Sequence, residues 1–132
     1  TNGSFPEKLE KLIASGNIDY VAMDIKNCPE KYGQTVAISD FDFSPVRKSV
    51  KLLLQGKVAY EFRTTVVKEF HTPQDMVEIG KLINGADKYF LQHFIESEGN
   101  IQQGLTPLCK EEMENLRNSV SGFVKNAELR GT

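Results

Sequence analysis

The 132-residue chain has no tryptophan, only two cysteines, and sixteen Lys and Arg against eighteen Asp and Glu, for a formal net charge of -2. Each shortage excludes something. A secreted disulfide scaffold of this length usually carries more cysteine. Cys28 and Cys109 lie too far apart in sequence to define a metal site by spacing. They are expected to be reduced thiols, which suits a cytoplasmic setting. Without a basic excess, no phosphate-backbone partner is expected, and hence no nucleic acid. No apolar run approaches the ~18 residues of a membrane span, and no signal peptide is visible. P-loop, Gly-x-Gly-x-x-Gly and His-Glu-x-x-His patterns are absent, as is a Cys-His pair spaced for a thiol protease. What remains is 39% apolar and 26% charged residues, the composition of one ordinary domain. The chain opens on Thr1-Asn2-Gly3-Ser4 without an initiator Met, so a preceding segment is expected.

Helix signals recur along the chain. Ser4-Phe5-Pro6-Glu7 reads as a capping box with Pro in the first turn, followed by Leu9, Leu12 and Ile13 on one face and a stop at Gly16. Ser44-Pro45 opens a second helix lined by Val46, Val50, Leu53 and Leu54 and ended by Gly56. Thr72-Pro73, with Asp75 in the first turn, opens a third, with Met76, Ile79 and Ile83 as its stripe. A fourth spans about 110–121, with Met113, Leu116 and Val120 on one face.

Strand-like runs fall between them: 19–26 (DYVAMDIK), 58–67 (VAYEFRTTVV), 87–94 (DKYFLQHF) and the shorter, more polar 124–130 (VKNAELR). Regular alternation of helix and strand predicts βα units and a mainly parallel sheet with right-handed crossovers. Two long connections, 27–43 and 95–108, follow strands and precede helices, on the face where α/β proteins bind ligands.

Alternation along the strands sorts side chains by face. Val21, Met23 and Ile25 point one way and Ala22, Asp24 and Lys26 the other. In the next strand Val58, Tyr60, Phe62 and Val66 oppose Ala59, Glu61, Arg63 and Thr65. An Asp and a Lys two apart at a strand's carboxyl end suit a zwitterion or a cation, or form a plain strand-end ion pair. Arg63 needs a partner; Glu61 on its own face is the simple choice and a ligand carboxylate the functional one. Gln92 shares a face with Phe90 and Phe94. His93 falls with Tyr89 and Leu91, which favours a structural role. His71, in a loop beside a helix start, is expected to be solvated. These residues describe a βα protein with a polar sheet face and specify no activity.

Taken together, TNGSFPEKLEKLI, DYVAMDIKNCPEKY, YEFRTTVV with the following HTPQDM, ADKYFLQHF and KNAELRG resemble radical S-adenosylmethionine activating enzymes. The subgroup is that of pyruvate formate-lyase and anaerobic ribonucleotide reductase activators. The segments follow the family's order over nearly the whole chain, and YVAMDIK and EFRTTVV are the most specific.

The resemblance implies an α/β fold in which residues 1–132 form the C-terminal half of a partial (β/α)6 TIM-like barrel, with the cluster-binding half missing. It implies a parent oxidoreductase that uses a [4Fe-4S] cluster and S-adenosylmethionine to generate a glycyl radical on a partner enzyme under anaerobic conditions. Lys26 resembles the lysine that contacts the methionyl part of the ligand, and Arg63 the arginine facing its pocket. Asp24, with Thr1, resembles the place of a candidate monovalent-cation site in related activators. Asn2, with Thr1, resembles the end of an Asp-Thr-Asn-Gly strand beside the ligand site, and is expected to be a cofactor-binding residue; Gln92 resembles a polar residue near the adenosine.

The chain departs from the family in lacking Cys-x3-Cys-x2-Cys and the Gly-Gly-Glu segment. It is therefore expected to be inactive alone, with neither cofactor tightly bound and no catalytic residue of its own. An open edge at Thr1 is expected to favour self-association. The alternatives are a stand-alone α/β module binding S-adenosylmethionine, nucleotide or protein, and a radical enzyme acting on another substrate.

Overall fold

The computed structural model describes residues 1–94 and 105–131. The long connection expected over 95–108 therefore lies mostly outside the described residues. Four strands alternate with helices in chain order: α1 (Pro6–Ser15), β1 (Tyr20–Asp24), α2 (Tyr32–Thr35), α3 (Ser44–Leu54), β2 (Ala59–Val66), α4 (Pro73–Leu82), β3 (Tyr89–His93), α5 (Lys110–Val120) and β4 (Ala127–Arg130). They build one sheet in the order β1-β2-β3-β4, with every neighbouring pair parallel. The expected α/β class with parallel strands is borne out.

One sheet face carries the core. Met23, Ile25, Phe62, Tyr89 and Leu91 are fully buried there against Val50 and Leu53 of α3, Met76 and Ile79 of α4, and Met113 and Val120 of α5. Each such side chain contributes on the order of 1.5–3 kcal/mol through removal of apolar surface from water. The hydroxyl of Tyr89, which burial pushes far above its ordinary pKa, donates to Thr64 Oγ1 within this layer. His93 lies on the helix side, its Nε2 3.0 Å from the carbonyl of Leu108, in the structural role expected of it.

Several local expectations are corrected. Ser4 does not cap α1: the cap position is Phe5, and the Ser4 N–H is taken by Asn2 Oδ1 at 2.9 Å. A side chain two residues away competes for the same donor, and the turn wins. Leu12 is 49% exposed, so the buried stripe of α1 is narrower than its spacing suggests. The stretch 27–43 is not all loop, since a 3-10 turn (Pro29–Lys31) leads into α2. The last strand is only four residues long. Val124 packs in the core ahead of it, and the Lys125 N–H bonds to the Ala86 carbonyl.

Thr1 lies along the outer edge of β1. Its ammonium donates to the Ala22 carbonyl at 2.7 Å, and its own carbonyl accepts from the Asp24 N–H at 2.9 Å. Gly3, at φ +75°, allows this approach: a Cβ there would stand 2.1 Å from Met23 Cε. No helix among the described residues is long and apolar enough to cross a membrane.

Candidate ligand-binding face

The sheet face away from the helices carries two charged groups of different character. At the carboxyl end of β1, Asp24 is the register partner of Arg63 in β2. Arg63 Nε donates to Asp24 Oδ1 at 2.5 Å, and Lys26 Nζ lies 3.9 Å from Asp24 Oδ2. The pair is about one-third exposed and Lys26 about half, at 33%, 35% and 48%. The hydrogen bond to Asp24 and that carboxylate's charge hold Arg63 above its ordinary value against the opposing effect of burial. This is an anchored cation beside a carboxylate, with a half-exposed ammonium within 4 Å of that carboxylate. Such a set can address the carboxylate and amine of a zwitterionic ligand.

Arg63 therefore takes Asp24 as its partner, not Glu61. Glu61 is committed elsewhere: it accepts from the Tyr20 hydroxyl at 2.8 Å and from Arg130 at 3.0 Å. The Arg130 guanidinium also lies 3.8 Å from the ring centroid of Phe90. Burial pushes the Glu61 carboxyl up, but the bonds from Tyr20 and Arg130 and the nearby positive charges outweigh it, so the net shift is downward.

The structure brings Asp24, Lys26 and Arg63 together and places the Thr1 backbone beside Asp24. Asn2 is exposed and its side-chain oxygen is used in its own turn. Gln92 pairs in register with Thr65, and Phe90 with Arg63, so Gln92 lies further toward the carboxyl ends on the same face. A cavity of about 360 Å³ opens at those strand ends. Lys26, Thr35, Thr65, Phe70, His71 and Phe94 are among its lining residues.

Beneath this cavity lies a buried polar network that the sequence did not announce. Asn27 Nδ2 donates to Phe70 O and Thr35 Oγ1, while Asn27 Oδ1 accepts from the Cys28 N–H. Asp75 accepts from Lys31 Nζ at 2.9 Å and from the N–H and hydroxyl of Thr72, closing the capping box of α4. Burial raises the Asp75 carboxyl, and these bonds more than reverse it. His71, expected to be solvated, is only 5% exposed. Thr72-Pro73 signalled the helix start, but nothing in the spacing showed that Lys31 reaches Asp75 or that Asn27 bonds to the Phe70 carbonyl beside His71.

The chain is 30% identical, over 98% of its length, to a protein of Methanocaldococcus jannaschii provisionally named a glycyl-radical enzyme activating enzyme. It spans 56% of that protein's length. Its fold matches the crystal structure of a domain of pyruvate-formate lyase-activating enzyme from Bacteroides vulgatus, with a TM-score of 0.72 over 97% of this chain and 76% of that one, at 11% identity. No family model matches the chain.

Proposed function

We propose that the chain belongs with the glycyl-radical enzyme activating enzymes, as its likeness to the Methanocaldococcus jannaschii protein supports, and that it forms part of a radical S-adenosylmethionine enzyme, contributing the strand-end face that binds the methionyl part of S-adenosylmethionine. The observation that carries this reading is the joining of Asp24, Arg63 and Lys26 at the carboxyl ends of β1 and β2. When bound, S-adenosylmethionine supplies a sulfonium that carries an amine and a carboxylate. Lys26 offers its ammonium to the methionyl group, Arg63 borders the pocket in an orientation set by Asp24, and Gln92 faces the adenosine side. Asp24, with the Thr1 backbone, is the candidate place for a monovalent cation.

The residues of this chain do not fit a [4Fe-4S] cluster. The sequence holds two cysteines, and no group of three His, Cys, Asp or Glu among the described residues could hold a metal. On this reading residues 1–132 are the C-terminal portion of a barrel, and the cluster ligands lie outside them. The parent acts on a glycyl radical enzyme in the cytoplasm, and the chain alone turns nothing over.

Titrating S-adenosylmethionine into the isotope-labelled chain, followed by amide NMR, tests the ligand assignment. The expected result is weak, millimolar-range binding, with shifts centred on Asp24, Lys26, Arg63 and Gln92. No shift at any of them would remove the reading. A stand-alone binding module is the second reading, favoured by the 360 Å³ cavity beside Lys26. Equal shifts with a nucleoside triphosphate would support that module over the enzyme part.

A further inference from the structure

The pairing of β1 ends just before the residue that matters most. Ile25 still donates its N–H to the Arg63 carbonyl at 2.8 Å, but Lys26 lies past the ladder. Its backbone groups are nonetheless held, both by side chains. The Lys26 N–H meets the Tyr32 hydroxyl at 3.3 Å, and the Lys26 carbonyl meets His71 Nε2 at 2.9 Å. The other ring nitrogen, Nδ1, lies 3.0 Å from the Val67 N–H.

These partners define the tautomer. A backbone N–H can only donate and a carbonyl can only accept. Nδ1 must therefore be bare and Nε2 must carry the proton, so only one of the ring's three protonation forms satisfies both bonds. We propose that His71, as the neutral Nε2–H tautomer, is the positioning residue for Lys26, clamping the end of β1 to the turn after β2. The proposal rests on the reading of Lys26 as a ligand contact, but the clamp itself is testable without any ligand.

The surroundings suit a neutral ring. Burial lowers the His71 pKa, and this outweighs the bonds to the two backbone groups and the attraction of Asp75 on α4, while Lys31 opposes a second positive charge. Lys68 and Glu112 line a cleft that His71 also borders. Protonation would set an N–H at Nδ1 against the Val67 N–H and open the clamp.

The test is ¹⁵N NMR of the imidazole with amide and carbonyl shifts followed through an acid titration of the unliganded chain. The expected result is an Nε2–H signal at neutral pH. On protonation of His71, the Lys26 carbonyl, the Asn27 amide and the Val67 amide should move together. An Nδ1–H tautomer, or a ring that titrates without moving Lys26, would overturn the proposal. Should the chain unfold before the ring titrates, two variants decide. His71→Gln keeps a donor for the Lys26 carbonyl and is expected to retain the Lys26 shifts, whereas His71→Ala is expected to lose them. Matching shifts in both variants would overturn the proposal. Loss of ligand-induced shifts with the clamp intact would instead count against the ligand assignment alone.

Discussion

The two carboxylate–arginine pairs on the polar sheet face use the same chemistry in different settings. Glu61 has a side chain only 9% exposed and two partners from strands on either side, Tyr20 and Arg130. Asp24 is a third exposed and bonded to Arg63, with the Lys26 ammonium within 4 Å but not tightly engaged. The first is a closed plug that ties β1, β2 and β4 together. The second remains open to solvent at the strand ends, where a ligand's carboxylate or amine can compete for either partner. Burial and saturation, not residue type, separate the two pairs.

Glu61→Ala should have the largest effect. It leaves Arg130 and the Tyr20 hydroxyl without their shared acceptor, and a loss of about 2–3 kcal/mol is expected in urea unfolding. Acid should act in the same direction. Because the folded-state pKa of Glu61 is depressed, its contribution is present above the unfolded value of about 4.3 and is lost as pH falls through the folded value. The Glu61→Ala chain should therefore show a flatter fall of stability in that range than the parent chain, measured by denaturant unfolding across pH.

His71 acts in a separate window. Its folded pKa is lowered, so its stabilising effect is full above the ordinary histidine value of about 6.5 and falls as pH drops toward the folded one. Asp24→Ala should have the smallest effect on stability, under about 1 kcal/mol for a solvent-screened pair, yet abolish the shifts that S-adenosylmethionine induces at Lys26 and Arg63. If Asp24→Ala costs as much as Glu61→Ala, the two clusters are alike and the contrast fails.

Much of this was legible beforehand because it depends on short periods. The two-residue alternation in 19–26 and 58–67 assigned Val21, Met23, Phe62, Asp24 and Arg63 to their faces, and the starts of α1, α3 and α4 lay within a residue of their Pro. The joining of Asp24 and Arg63 needed register, which no single strand contains. His71 was misjudged because the group it meets beyond its own turn, the Lys26 carbonyl, lies far away in the chain. Arg130 lay in the strand with the least distinctive pattern, and its stacking on Phe90 depends on β3 and β4 pairing in one register. The missing cap at Ser4 reflects competition from Asn2, which a capping-box pattern does not weigh.

The sheet order has a consequence for how the chain folds. Each strand lies beside its predecessor in sequence, so every pairing closes just one strand–helix unit, and no strand waits for a distant one to arrive. The entropy lost in each closure grows only slowly with loop length. Assembly can proceed unit by unit, each new strand templated by the last, and the same rule permits a further unit to be added at either edge without disturbing those already in place.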